Sequence, residues 1–307
     1  MNEIILKTEN LTKRYKNNNA VNNISLEVKK GSIYGLVGKN GAGKTTILRM
    51  ICGLTIPTNG EVELFGESSI KGLNNSRRRI GCMIETPSFY PYLSAKKNLE
   101  YYRMQRGIVE QECVDEVLDL VGLENVGNKK FKNFSLGMKQ RLGLALAIMA
   151  DPDLLVLDEP INGLDPSGIV ELRELLLKLN REKNTTIVIS SHILSELEHI
   201  ATEYGFINNG EFLEQISAKQ LSEKCRQYIS VKVNDPKKAV TILENNLNSK
   251  EYEVLNDNEI RIYDNVNMPE KIAEALVKNE VLLFSLNQSS LKLEEHFMNL
   301  VGGNKNA

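Results

Sequence analysis

A chain of 307 residues is long enough for one large domain, or for a large and a small one. Its formal net charge of -2 argues against a basic nucleic-acid surface as its main business, and its 41% hydrophobic and 25% charged residues are those of an ordinary soluble globular protein. The four cysteines (Cys52, Cys82, Cys113, Cys225) stand at neither metal-ligand nor redox spacing, and the three histidines form no metal cluster in the sequence. The thiols therefore read as buried or incidental, in a reducing compartment. The stretch from Met1 to Asn10 carries Glu3 and Glu9 and lacks a long apolar core, so no secretory signal is expected. Asp151, Pro152 and Asp153 interrupt the most apolar run, Leu142 to Leu157, and a membrane span needs roughly 20 apolar residues; no crossing of a bilayer is expected.

In chain order, Ile4 to Tyr15, Ile24 to Val28 and Ser32 to Val37 read as three strands of an antiparallel sheet, the turn Lys30-Gly31 joining the last two. A Gly-rich loop, Gly38 to Gly43, leads into a helix from about Lys44 to Cys52. Ile80 to Ile84 reads as a strand, and residues from about Ser94 to Ala150 read as mostly helical. Leu154 to Leu157 is wholly apolar, as a central parallel strand covered on both faces would be. A helix from about Pro166 to Arg181, a β-branched strand Thr185 to Ile189 and a hairpin turning at Asn209-Gly210 complete this part. Beyond about Ala218 the order becomes βαββαβ, which predicts a small α/β sandwich of ferredoxin-like type followed by a last helix.

Gly38, Lys39, Asn40, Gly41, Ala42, Gly43, Lys44 and Thr45 fit the pattern G-x-x-x-x-G-K-[ST]. Its glycines let backbone N–H groups wrap closely around phosphates, and Lys44 supplies a point charge near the β- and γ-phosphates. Thr45 offers a hydroxyl to Mg²⁺, and the helix that follows presents its positive end to the anion. These residues and Thr46 are the predicted nucleotide-binding segment. Asp158 and Glu159 end an apolar strand. Asp158 can hold Mg²⁺, directly or through water, and Glu159 is placed to orient or deprotonate an attacking water.

Phe134-Ser135-Leu136-Gly137-Met138-Lys139-Gln140-Arg141 resembles the signature element, usually written L-S-G-G-Q, of the ATP-binding-cassette (ABC) family, and it precedes the Asp158 strand as in that family. It departs from the pattern at Phe134, Leu136 and Met138 and keeps Ser135 and Gly137; Ser135 would cap a helix starting near Leu136. The resemblance covers about residues 1 to 215. It implies a mixed sheet core with an antiparallel β subdomain and a helical subdomain, binding ATP and Mg²⁺. It further implies that Tyr15 stacks on adenine, that His192 touches the γ-phosphate, and that Lys44, Glu159 and His192 are catalytic. Thr45, Asp158 and Glu85 would hold the metal, while Ser135, Leu136, Gly137 and Asp165 would meet the nucleotide of a second subunit. Ile161 stands where the family more often has Thr or Ser. Glu85 replaces the usual glutamine, and with the form Ser-Leu-Gly-Met-Lys-Gln-Arg it is similar to the bacitracin- and lantibiotic-resistance branch. Next to it, Thr86 to Tyr92 crowds aromatics and prolines into a loop, a candidate docking site for a partner helix or else an inward-folded core. Arg77-Arg78-Arg79 reads as a solvated face.

The expected organisation is an α/β ATP-binding domain over 1–217 and an accessory α+β domain over 218–307. The expected function is the ATP-hydrolysing subunit of an ABC transporter. It would work as an ATP-dependent dimer on transmembrane permease subunits, on the cytoplasmic face of the membrane, with no nucleic-acid partner and with antimicrobial peptide or drug export as its task. The alternatives are an ABC subunit for an unrelated substrate and a non-transport ABC ATPase. Proteins of the ribosome-acting kind normally carry two cassettes, and this chain has one Gly-rich loop. Chromosome-structuring ATPases insert long heptad helices that are absent between Gly43 and Ser135, and the guanine-reading Asn-Lys-x-Asp of GTPases is absent as well.

Overall fold

A computed structural model describes residues 3–85, 88–225, 227–255, 258–290 and 293–303. The chain divides into two compact units, Met1–Ala218 and Lys219–Ala307.

In the first unit, β1 (Ile4–Tyr15) and β2 (Asn18–Lys29) pair antiparallel. Burial alternates along β2, with Ile24, Leu26 and Val28 inside and Ser25 and Glu27 outside, as a half-buried strand requires. The third strand of this sheet is not the one expected. The order is β2-β1-β4, where β4 is Asn59–Leu64, while β3 (Ile33–Val37) lies in the central sheet. The reason is in the side chains. All five residues of β3 are buried, a run apolar on both faces that suits a covered parallel strand, whereas β4 alternates weakly behind Gly60 and offers little apolar signal.

The central sheet has the order β5-β6-β7-β3-β8-β9, with β5 (Ile80–Met83), β6 (Leu154–Asp158), β7 (Thr186–Ser191), β8 (Glu203–Asn208) and β9 (Glu211–Ser217). The first five strands are parallel and β9 returns antiparallel on β8. The connecting turn has Asn209 at φ 50° and Gly210 at φ 80°, the pair of positive values that a two-residue hairpin turn demands.

Helix α1 (Lys44–Ile51) follows the Gly-rich loop, and α2 (Ile70–Ser76) follows β4. The helical stretch contains α3 (Ala95–Arg106), α4 (Cys113–Leu120) and α5 (Leu136–Ile148). Then come α6 (Pro166–Lys183), α7 (Leu194–Glu198) and α8 (Ala218–Lys224). The starts follow from capping chemistry: the side chains of Ser94, Ser135 and Asp165 accept the N–H of Lys97, Met138 and Gly168. Pro166 suits the first turn of α6. A core cluster joins Ile47, Leu48 and Ile51 of α1 to Leu6, Val28, Leu154 and Val188 of the two sheets.

The second unit contains β10 (Gln227–Val233), α9 (Pro236–Leu247), β11 (Tyr252–Val254), β12 (Glu259–Ile262), α10 (Pro269–Lys278), β13 (Leu283–Ser290) and α11 (Leu293–Gly303). Its sheet is antiparallel throughout, in the order β11-β12-β10-β13. Ile229, Val231 and Val233 alternate inward from β10 and meet Ala239 and Leu243 of α9 and Ile272 and Leu276 of α10. This is the βαββαβ sandwich that the order of elements predicts. Among the described residues, no helix is long and apolar enough to cross a membrane.

Candidate active site

Strands β6, β7 and β3 lie side by side and parallel, so their carboxyl ends converge. Register pairs Asp158 with Ser190 and Val37 with Ser191. This is where an open α/β sheet binds its ligands. The Gly-rich loop leaves β3 at this point. Gly43 sits at φ 107°, and a Cβ there would stand 2.5 Å from the Ala20 carbonyl oxygen, so the backbone comes closer than any side chain allows. No side chain caps α1 at Gly43, so the N–H groups of its first turn remain for the loop to present.

Lys44 is 5% exposed. Its Nζ donates to the carbonyls of Gly38 (2.6 Å) and Lys39 (3.2 Å) and lies 3.0 Å from Glu159 Oε1. Thr45 Oγ1 donates to Asp158 Oδ2 at 2.8 Å, and Ser190 Oγ donates to Asp158 Oδ1 at 2.6 Å. Ser190 Oγ in turn accepts the Glu159 N–H at 2.9 Å. Glu159 has φ 49°, a left-handed conformation costing about 1–2 kcal/mol for a residue with a Cβ; the Ser190 bond helps hold it. The far carboxylate oxygen, Oε2, lies 2.7 Å from His192 Nδ1. Lys44, Thr45, Asp158, Glu159 and His192 therefore form one connected group, fed by three strand ends. Ser190 is its unforeseen member. In the sequence it was visible only as one of two serines before His192, and only the β6–β7 register shows that it faces Asp158.

The remaining predicted residues lie elsewhere. Tyr15, at the end of β1, is 46% exposed, with Lys13 Nζ 5.3 Å from its ring centroid. Glu85 does not join the Thr45–Asp158 pair: its carboxylate is ion-paired with Arg49. Thr45 and Arg49 are four residues apart on α1, on one face, so this places Glu85 about a turn further along the helix.

Ser135, Leu136, Gly137 and Asp165 make a second group. Ser135 caps α5, and Leu136 beside it is exposed. Gly163 lies against Leu136, Gly137 against Leu164, and the Gln140 side chain donates to the Asn162 carbonyl. Asp165 accepts from Ser167 Oγ and from the Gly168 N–H, and these two bonds hold its carboxyl below the usual carboxylate range. Ile161 is buried, so its position contributes packing where the family pattern has a hydroxyl.

Of the aromatic loop, Thr86 and Pro87 lie outside the described residues. Phe89 folds inward and meets Tyr102 and Phe131, with ring centroids 5.6 and 5.1 Å away. Tyr90 and Tyr92 stay exposed. The buried Asn98 fastens the loop, accepting the Tyr90 N–H at 2.8 Å and donating to the Tyr90 and Ser94 carbonyls. The loop therefore divides: its first aromatic is core and the later ones are surface.

A mixed sheet with a phosphate-type loop at its switch in strand order and two carboxylates on the neighbouring strand defines a P-loop ATPase of the cassette class. The sequence matches the family described as ABC transporter over residues 21–162. It is 44% identical to the bacitracin transport ATP-binding protein BcrA of Bacillus licheniformis, over 97% of this chain and 98% of that one. It is 45% identical to the lantibiotic transport ATP-binding protein SrtF of Streptococcus pyogenes, over 68% of this chain and 89% of that one. Among solved structures, a dimeric post-hydrolysis state of the ATP-binding cassette MJ0796, bound to ADP and Pi, superposes with a TM-score of 0.64 at 27% identity, covering 70% of this chain and 99% of that one. The chain belongs to the ABC transporter family, as an ATP-binding subunit with ATPase activity.

Proposed function

We propose that this chain powers the export of an antimicrobial peptide or related drug of the bacitracin or lantibiotic kind, through separate membrane permease subunits. Two copies would close on ATP at the cytoplasmic face of the membrane. The observation that carries the reading is the single group made by Lys44, Thr45, Asp158, Glu159 and His192. The relatives named for bacitracin and lantibiotic transport support the substrate class. Residues 1–217 are the ATP-binding domain in this proposal and 218–307 an accessory domain.

In the site, Lys44 exchanges its carbonyl and Glu159 partners for the β- and γ-phosphates, joined by the N–H groups of residues 38–46, while Tyr15 stacks on the adenine. Glu159 takes the proton of the attacking water, and His192 orients its carboxylate and meets the γ-phosphate. Ser135, Leu136, Gly137 and Asp165 of the second copy cover the same phosphate. The donors for Mg²⁺ fit a hard cation: a hydroxyl (Thr45) and a nearly buried carboxylate (Asp158) lie 2.8 Å apart. Among the described residues no three His, Cys, Asp or Glu side chains could hold a metal by themselves, so phosphate oxygens and water would complete the coordination. When bound, Mg²⁺ supplies positive charge that offsets the charge on the phosphates. Glu85 would join the set only by leaving Arg49.

The test is a pair of assays. Deleting the gene should sensitise cells to bacitracin or a lantibiotic, and the tagged chain should co-purify with a protein of several membrane spans. Unchanged sensitivity to the whole panel, in cells where the chain still co-purifies with such a protein, would leave the ATPase reading and remove the substrate class.

A further inference from the structure

Tyr15 stands at the end of β1, where the strand has a neighbour on one side only. The register with β4 stops at Thr12 opposite Asn59, whereas the pairing with β2 runs on to Tyr15 opposite Asn18. The ring is 46% exposed. Among the described residues its hydroxyl has no hydrogen-bond partner and its ring no aromatic neighbour.

Lys13 is the group that lies against it. The two residues are two apart on a strand, which puts their side chains on one face. Lys13 Nζ stands 5.3 Å from the Tyr15 ring centroid, inside the distance at which a cation is drawn to an aromatic face. The ammonium is also tethered. It donates to the Ile56 carbonyl at 2.7 Å, 43 residues further on, in the connection from α1 to β4. That connection is itself tied to β1: the Thr58 N–H donates to the Thr12 carbonyl at 2.8 Å, and the Arg14 N–H donates to Thr58 Oγ1 at 3.1 Å. Among the described residues no carboxylate pairs with Lys13, so its charge is left for the ring.

We infer that Lys13 is a positioning residue for nucleotide binding. Anchored on Ile56, it covers one face of the Tyr15 ring and leaves the other face to stack on the base. The inference rests on the proposed role of Tyr15 as the residue that meets adenine. Lys13 acts through the ring and touches no part of the nucleotide. An exposed aromatic side chain at a strand end loses rotational freedom when a base lands on it, and that loss opposes binding. A ring already held by a tethered cation has less freedom to lose. A cation–aromatic contact at an exposed site accounts for about two- to fivefold in affinity.

The experiment uses the full-length chain with Mg²⁺ and two probes, followed by calorimetry: the non-hydrolysable ATP analogue AMP-PNP, and inorganic tripolyphosphate, which has no base. Lys13→Met should weaken AMP-PNP about two- to fivefold and leave tripolyphosphate unchanged. Lys13→Arg should restore wild-type affinity, because a guanidinium also sits over ring faces. In a Tyr15→Ala background, Lys13→Met should have no further effect. Unchanged or tighter AMP-PNP binding in Lys13→Met, an equal loss of tripolyphosphate, or the same loss in the Tyr15→Ala background would each overturn the inference. Should Lys13→Met fold poorly, Lys13→Gln takes its place; it keeps a donor for the Ile56 carbonyl and lacks the charge, and wild-type affinity in that variant refutes the role. The chain has no tryptophan, so Tyr15→Trp provides a single emission that a stacked base should quench. No quenching on binding would remove the stacking role of position 15 and the inference with it. Quenching whose midpoint is the same with Lys13 and with Lys13→Met would keep the stacking role and remove Lys13 from it.

Discussion

Lys44 and Glu159 are ion-paired at 3.0 Å, so the cation of the phosphate loop and the carboxylate after β6 neutralise each other within one chain. The pair makes the two residues separable by experiment. Lys44→Ala removes the charge that would meet the phosphates and leaves the half-buried Glu159 carboxylate without its cation. ATP affinity should fall about 10–100-fold, the worth of a hydrogen bond to a charged group. Titration with a fluorescent ATP analogue measures it, and unchanged affinity would remove Lys44 from the binding role.

Glu159→Gln keeps the shape and deletes the carboxylate proposed as the base. Turnover should drop about 10²–10⁴-fold with ATP binding intact. Retained ATP should then hold two chains together, since in the proposed sandwich Ser135 of each copy would cover the phosphate of the other. Size-exclusion chromatography with ATP and Mg²⁺ reads this directly; a variant that stays monomeric at high concentration contradicts the sandwich.

Ser190→Ala deletes a fully buried hydroxyl that bonds both Asp158 and the Glu159 N–H. The loss should cost about 1–3 kcal/mol of stability, seen as a lower thermal midpoint, and ATPase should fall further than binding because Glu159 loses the bond that fixes its left-handed backbone. Full activity in this variant would show that Glu159 is held by other means.

Arg49 and Glu85 compete for one question. If Glu85 reaches the metal, Arg49→Met frees it and lowers the Mg²⁺ concentration for half-maximal ATPase, while Glu85→Gln raises it several-fold. Mg²⁺ titrations of the two purified variants should move in opposite directions. Movement in the same direction, or none, confines Glu85 to pairing with Arg49. Transport in cells should fall more than ATPase in Glu85→Ala, given the exposed Tyr90 and Tyr92 in the loop beyond.

A chain ending at Ala218 should fold and hydrolyse ATP. A chain ending at Gln215 should be less stable, because it removes the buried Ile216 opposite Tyr204 and the bond from the Ala218 N–H to the Thr202 carbonyl. Thermal melts of the two truncations compare them; equal melting points would mean that the end of β9 is dispensable.

The sequence was most readable where one local rule decides the outcome. The loop before Lys44, the cap at Ser135, the turn at Asn209-Gly210 and the alternation along β10 are each written in a few neighbouring residues. It was least readable where partners come from afar. β3 reads like any short apolar strand, and only the covering of both its faces puts it in the central sheet. β4 begins with exposed, polar residues and carries no strand pattern of its own. Ser190, Arg49 and Gln140 act through partners in other elements, and no spacing within their own segments announces that. The aromatic loop was half legible, because its composition could not tell that Phe89 turns in while Tyr92 remains out.

The parallel order of the central strands also bears on how the protein is born. Thr45 and Asp158, which touch in the finished site, are 113 residues apart, and β3 has for neighbours β7 and β8, made long after it. At about 5–20 residues per second of synthesis, those 113 residues take roughly 6–23 s. During that interval the fully buried apolar strand β3 has no lasting partner, and such unpaired strands are what nascent chains aggregate through. A nucleotide cannot rescue the early chain either, since its pocket has only one wall until β7 emerges from the ribosome. The same topology that brings three strand ends together therefore leaves β3 unpaired until the second half of the chain has been made, an interval in which aggregation competes with folding.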